Sequence, residues 1–249
     1  MGAYYNENDP FASAWLRELI KAGLIADGEV DERSIELVQP GDVRGFTQCH
    51  FFAGIGGWSY ALRLAGWPDD REVWTGSCPC QPFSMAGKGQ GADDPRHLWP
   101  SWYWLIRQCR PVRIFGEQVD SSDGRLWLDI VHDNLEHAGY AVGAAGLPAC
   151  GVSAPHQRQR LWFVADADSA RLPQWDERGE PGATATPSAW REFERVHAAR
   201  AWAAREADAD VPVFADGIPN RVGRVSGYGN AIVPQVAQVF IEAYMSLDR

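Results

Sequence analysis

The segment Pro79-Cys80-Gln81-Pro82-Phe83-Ser84 sets a cysteine directly after a proline, and Phe52-Ala53-Gly54-Ile55-Gly56-Gly57 lies upstream of it. A cysteine attacks as its thiolate, so one that does chemistry needs surroundings that lower its pKa. A buried cysteine is usually an inert core residue. The tail Gly87-Lys88-Gly89-Gln90-Gly91 points the other way, to a mobile loop carrying Cys80, with Lys88 and Arg96 turned towards phosphates. A glycine-rich turn between a strand and a helix brings backbone N–H groups close to a ligand and suits a nucleotide-like cofactor. Glu117 follows an apolar strand, so its carboxylate sits at a strand's C-terminal edge, where open α/β sheets bind ligands. Arg158 and Arg160 alternate and would share one side of a strand. On its own that pair reads equally as a solvated arginine face, and Gly229-Asn230-Ala231 reads only as a turn before a helix.

These residues need a frame. Residues 11–23 have the spacing of an amphipathic helix, with Trp15, Leu16, Leu19 and Ile20 on one face and Gly23 to end it. Residues 27–42 are acidic and turn-rich. Phe46 to Ala53 reads as a buried strand entering the glycine turn, Trp58 to Ala65 as a helix and Val73 to Gly76 as a short strand leading to Cys80. Helices follow over 98–109, 126–138 and 231–245, and strands over 113–115, 140–142 and 161–165. Such alternation predicts an α/β fold, a mostly parallel Rossmann-like sheet with helices on both faces. Residues 171–189 read as a loop and 190–207 as a polar helix.

At 249 residues the chain can bury one substantial core and a small lobe. It has no apolar run long enough to span a bilayer and no signal-like N-terminus, so a soluble cytoplasmic protein is expected, with no membrane partner. Five cysteines at irregular spacing argue for reduced thiols. Cys78-Pro79-Cys80 lacks the second Cys/His pair of a tetrahedral site, so no metal is expected. The formal net charge of −10 opposes non-specific nucleic-acid binding over the whole surface but leaves room for a local basic groove.

Five segments stand in a fixed order: Phe52–Gly57, Pro79–Ser84, Phe115-Gly116-Glu117-Gln118-Val119, Pro155-His156-Gln157-Arg158-Gln159-Arg160 and Gly229-Asn230-Ala231 onward. This ordered set resembles the DNA (cytosine-5) methyltransferase family, over roughly residues 46–166 and 213–244. The resemblance implies S-adenosylmethionine as cofactor, bound by Phe52, Ala53, Gly54, Ile55, Gly56, Gly57, Trp58, Pro79, Leu98, Asn230 and Ala231. It implies methyl transfer to C5 of a flipped cytosine in double-stranded DNA, with Cys80 as nucleophile, Glu117 as acid at cytosine N3, and Arg158 and Arg160 at the target nucleotide. Gln81, Ser84, Lys88 and Arg96 would then touch DNA. His156 stands where the family has Gln, and Gln118 where it has Asn. Other readings of the same motifs are a non-catalytic DNA-binding decoy and a C5-modifying enzyme that uses RNA or an altered S-adenosylmethionine derivative.

The family places two more strands between the glycine turn and the nucleophile, bearing carboxylates for ribose and adenine. Here about twenty residues separate Gly57 from Pro79, room for one helix and one short strand. A shortened adenine side with an open sheet edge is therefore expected. Residues 11–44 are expected to pack on it and to supply the carboxylate from Asp27, Glu29, Asp31, Glu32 or Glu36, with Asp69, Asp70 and Glu72 as alternatives. A homodimer or partner chain is the other way to cover the edge. The expected organisation is an N-terminal segment over 1–44, a catalytic domain over 45–166, a small recognition lobe over 167–212 and a returning segment over 213–249. A lobe of this size makes few base contacts, which implies a short target, and the compactness is compatible with a phage or prophage enzyme.

Overall fold

The computed structural model describes residues 2–79, 98–154, 156–168 and 231–247. In chain order the elements are β1 (Ala3–Asn6), α1 (Pro10–Lys21), β2 (Gly28–Asp31), α2 (Pro40–Val43), β3 (Gln48–Phe51), α3 (Gly57–Leu64), β4 (Val73–Gly76), α4 (Trp99–Cys109), β5 (Arg113–Val119), α5 (Ser122–His137), β6 (Ala141–Pro148), β7 (Gln159–Asp166) and α6 (Pro234–Ser246). One seven-stranded sheet runs in the order β2-β1-β3-β4-β5-β7-β6. Strands β1 to β5 pair in parallel, while β7 is antiparallel to both neighbours. This is the mostly parallel α/β sheet that the alternation predicts. The loop and helix expected over 171–207 lie outside the described residues.

The expectation of an open edge is corrected. The N-terminal segment does more than pack on the sheet, for it supplies the two strands that the short Gly57–Pro79 connection omits. β1 pairs with β3 from Ala3↔Gln48 to Asn6↔Phe51, and β2 then pairs with β1. The position beside β3 is thus filled by residues 3–31 rather than by the 57–79 connection. The chain itself covers the edge of β3, so no partner is required there.

Local order supports this arrangement. Asp9 caps α1 by accepting from Ala12 N at 2.8 Å, Pro10 occupies the first turn, and the helix gives way to Gly23 at φ 67°. Tyr5 in β1 donates its hydroxyl to Ala26 O at 2.6 Å and lies 3.0 Å from Ser59 Oγ in α3. Its ring stacks on His50 of β3 with centroids 4.9 Å apart. One buried tyrosine thus ties the new strand to the glycine-turn helix.

Two apolar layers sandwich the sheet. Trp99, Trp102 and Leu105 of α4 and Trp127 and Val131 of α5 pack on Phe51, Trp74, Ile114 and Phe163. On the opposite face Trp58 and Leu62 of α3 and Val236, Phe240 and Tyr244 of α6 pack on Phe115, Trp162 and Val164. A smaller cluster of Ala3, Tyr5, Leu16, Ile25 and Ala53 sits under α1. Tyr244 also carries a buried polar bridge, accepting from Arg113 Nε at 2.6 Å and donating to Asp166. Among the described residues no helix is long and apolar enough to cross a membrane.

Candidate functional site

The C-terminal ends of β1, β3, β4 and β5 lie side by side, through the pairs Asn6↔Phe51, Phe51↔Gly76 and Gly76↔Gly116. A cavity of about 510 Å³ opens above them. Parallel strands put their C-terminal turns at one edge, and in an open α/β sheet that edge is the crevice.

The glycine turn forms one wall. The chain leaves β3 through Phe52 at φ 51°, then Gly54 at φ 55° and Gly56 at φ 83°. A left-handed backbone is costly for Phe and free for Gly, so the turn spends strain on placing the Phe52 ring. That ring lines the cavity and meets Trp102 edge-on at 6.0 Å. Gly54 and Ile55 line it too. Gly56 and Gly57 instead face a second, apolar cavity of about 430 Å³ between α1, α3 and the segment 231–234.

Glu117, near the end of β5, lines the first cavity while almost wholly buried. Arg160 Nε of β7 lies 2.9 Å from Glu117 Oε1. Burial pushes the Glu117 carboxyl above its usual pKa, against the opposing pull of Arg160, a hydrogen bond from Ser77 and the charge of Arg158. The group can therefore hold a proton and pass it to a base placed in the cavity. Arg158 does not lie on the strand as its alternation with Arg160 suggests. It precedes β7 at φ 32° and donates from Nη2 to Ala231 O at 2.6 Å, yet it still faces the same cavity as Arg160. Gln118 fills the position at which the family has Asn. It donates to Cys78 O at 3.2 Å and accepts from Val119 N at 2.8 Å, which ties β5 to the backbone just before Cys80.

Phe52, Gly54, Ile55, Pro79, Leu98 and Ala231 thus meet Glu117, Arg158 and Arg160 around one cavity. Four of the residues expected at the cofactor, Ala53, Gly56, Gly57 and Trp58, do not line this cavity. Ala53 is buried in the cluster under α1. Trp58 lies on the sheet-facing side of α3, its ring 5.4 Å from that of Trp162, and lines neither cavity. Cys80, Gln81, Ser84, Lys88, Arg96 and Asn230 lie outside the described residues.

None of the carboxylates expected for the cofactor lines the cavity, whereas Glu7 and Asp9 do. Glu7 lies in the turn after β1, where Oε2 accepts from Gly54 N at 2.7 Å and Oε1 from Asp9 N at 2.9 Å. Asn6, Asp9, Arg33 and Ser34 line the cavity beside it. Asp31 is used up inside the fold, accepting from Tyr4 OH at 2.6 Å and from Arg33 Nη2 at 2.6 Å. Glu32 pairs with Arg17, Asp69 with Arg63, and Glu36 accepts from Ser34. Asp27, Glu29, Asp70 and Glu72 do not line the cavity either. A signal for Glu7 exists in the sequence. Ala3-Tyr4-Tyr5 is a short run suited to a strand, and Asn6-Glu7-Asn8-Asp9-Pro10 is a turn leading to a helix cap.

Residues 67–184 match the model of the C-5 cytosine-specific DNA methylase family, a span that includes Cys80, Glu117, Arg158 and Arg160. The type II methyltransferase M.HgiBI of Herpetosiphon aurantiacus is 27% identical over 178 residues, covering 53% of this chain and 41% of that protein. The type II methyltransferase M.HhaI of Haemophilus parahaemolyticus is 28% identical over 99 residues, covering 38% of this chain and 30% of that protein. The chain matches less than half the length of either relative. Among solved structures, the S. pombe Dnmt2 methyltransferase superposes with a TM-score of 0.50 at 13% identity, covering 99% of both chains, a likeness of fold.

Proposed function

Since the chain belongs to the DNA (cytosine-5) methyltransferase family, we propose that it methylates carbon 5 of cytosine in DNA with S-adenosylmethionine as donor. The observation that carries this reading is the meeting of Glu117, Arg160 and Arg158 with Phe52, Gly54 and Pro79 around one cavity.

The cavity suits the cofactor. Gly54 N–H is held by Glu7, whose oxygens keep lone pairs for the two ribose hydroxyls, and the Phe52 ring offers an apolar wall. When bound, S-adenosylmethionine supplies an electrophilic methyl group on a sulfonium. The protein must make the base nucleophilic. Cytosine C5 is a poor nucleophile while the ring is aromatic. Cys80, one residue beyond Pro79, adds its thiolate to C6, and the carbon–sulfur bond breaks the aromaticity and leaves C5 enamine-like. As negative charge builds on the ring, protonated Glu117 gives a proton to N3, and Arg160 holds the Glu117 carboxyl in place. With the cofactor bound, C5 would take its methyl group and leave the thioether behind, after which loss of the C5 proton to a base, departure of the Cys80 thiolate and return of the N3 proton to Glu117 would restore the ring.

A stacked base cannot reach a cavity floored by β5, so the target cytosine is flipped out of the duplex. By the family resemblance, Gln81, Ser84, Lys88 and Arg96 would touch the DNA and Asn230 the cofactor. Modification within a restriction–modification setting, as the names of the relatives suggest, fits the same chemistry. The test is nucleoside analysis of cytosine-containing duplex DNA after incubation with the cofactor. 5-Methylcytosine from the parent and none from Cys80→Ser is the expected result. Equal product from Cys80→Ser would sink the covalent route.

A further inference from the structure

The second cavity is walled mostly by groups that the proposed reaction leaves unused. Helix α1 carries an apolar face of Trp15, Leu16, Leu19 and Ile20, of which Leu16 alone is wholly buried. Trp15 and Leu19 are half-buried and line this cavity together with Tyr60 of α3. Its volume, about 430 Å³, is that of a small-molecule site. Gly56 and Gly57 line it too and keep it clear. A side chain at Gly57 would begin 2.7 Å from Ile232 Cγ1, and one at Gly56 would begin 3.2 Å from Leu19 Cδ1. The lining turns basic at one end. Arg158 stands there, its Nη2 donating to Ala231 O at 2.6 Å, with His156 two residues before it. Among the described residues that line this cavity none is acidic.

We propose that this cavity is a second binding site, for an aromatic monocarboxylate, with the ring against Trp15 and Tyr60 and the carboxylate at Arg158 and His156. The charge pattern selects the class. An apolar lining with basic groups at one end fits a ligand that is apolar over most of its length and anionic at one end. A cationic ligand would leave its charge there without a counter-charge from the walls. A guanidinium presents planar paired N–H donors that match a carboxylate, and an imidazole donates from a ring nitrogen. Aromatic side chains from two different helices favour a flat ring, which they meet offset or edge-on. Ile55, Arg158 and Ala231 line both cavities, so this ligand lies behind the glycine turn and against the end of the first cavity.

The experiment titrates the full chain with 2-naphthoate, 2-naphthylmethanol and 2-naphthylmethylammonium, read by saturation-transfer NMR and calorimetry. The carboxylate is expected to bind with a Kd of about 1 mM or tighter, the level of a ligand of this size. The neutral alcohol is expected to bind about tenfold more weakly, for want of a charged hydrogen bond, and the ammonium more weakly still. Leu19→Trp fills the cavity and is expected to abolish binding of all three. Leu24 lines the cavity and is 50% exposed, so Leu24→Glu sets a negative charge beside the ligand without touching the core. It is expected to weaken 2-naphthoate about threefold and to spare the alcohol. Should Leu19→Trp fail to fold, Leu24→Glu decides. Three equal affinities overturn the proposal, as does parent-like 2-naphthoate binding by Leu24→Glu, or no binding of 2-naphthoate at several millimolar. Binding is read without DNA or S-adenosylmethionine, so its outcome is separate from that of the methyl-transfer assay.

Discussion

Replacing Glu7 by Gln should cripple cofactor binding while leaving the fold intact. Glu7 already accepts Gly54 N at 2.7 Å and Asp9 N at 2.9 Å, and it lines the cavity between them. A carboxylate has about four acceptor sites, which leaves it able to take two ribose hydroxyls as well. Gln keeps one acceptor oxygen and turns an NH₂ towards either a backbone N–H or a hydroxyl. Hydrogen bonds to charged groups are worth about 1.5–3 kcal/mol net. Losing the charge and one good acceptor should therefore weaken binding about 10- to 100-fold. Glu7→Ala should lose more, because Gly54 N–H is then unheld and the turn relaxes. Isothermal titration with S-adenosylmethionine and S-adenosylhomocysteine measures the loss. A 2′,3′-dideoxyribose analogue isolates its cause. The parent should discriminate against that analogue and Glu7→Gln should not, since a coupled pair shows in the cycle. Asp31→Asn is the comparison, expected to cost stability through Tyr4 and Arg33 but little affinity. Parent-like binding by Glu7→Gln, or an equal loss on neutralising Glu29, Glu32 and Glu36 together, would refute the assignment.

Methyl transfer should fall as pH rises through the raised pKa of Glu117, because only the protonated acid serves N3; Glu117→Gln should cost about 10²–10⁴ in single-turnover rate. The same shift makes the fold lose some stability as pH rises from the ordinary carboxylate value to the raised one, since the folded state holds that proton more tightly. His50, wholly buried between Tyr5 and Thr75, is pushed down to about 3 by desolvation and stays neutral in the fold. Its contribution is fully present above the ordinary histidine value and drains away as pH falls towards about 3. Urea unfolding should therefore show about 2 kcal/mol less stability at about pH 5 than at about pH 7 from this group alone, a difference that His50→Gln removes. Gly116→Ala would place a methyl carbon 2.1 Å from the Phe163 ring in the middle of the sheet. Overpacking there should cost about 1–3 kcal/mol in chemical denaturation and displace Glu117, lowering the turnover rate together with Tm.

The residues able to do chemistry were legible because their signals are local. A glycine turn, a proline before a cysteine and a carboxylate at a strand end depend on the dihedral freedom and side-chain chemistry of a few neighbours, and the Phe52–Gly57, Pro79–Ser84 and Phe115–Val119 segments carry them. Helices α1, α3, α4 and α5 were legible through their apolar periodicity. Strands β1 and β2 were not. Each is four residues long, β1 is buried throughout, and a short buried strand shows no alternation. What makes them strands is parallel pairing with β3, a long-range contact that no local window contains. Glu7 was overlooked for that reason. Its neighbours announce a turn, but only the seating of β1 beside β3 brings its carboxylate to Gly54. The sequence alone determined which groups are present and which turns carry them. The tertiary structure decided which carboxylates face the cavity, that the indole of Trp58 looks inward to Ser77, and that β1 and β2 extend the sheet beyond β3, because strand order is set by burial and pairing summed over the whole domain.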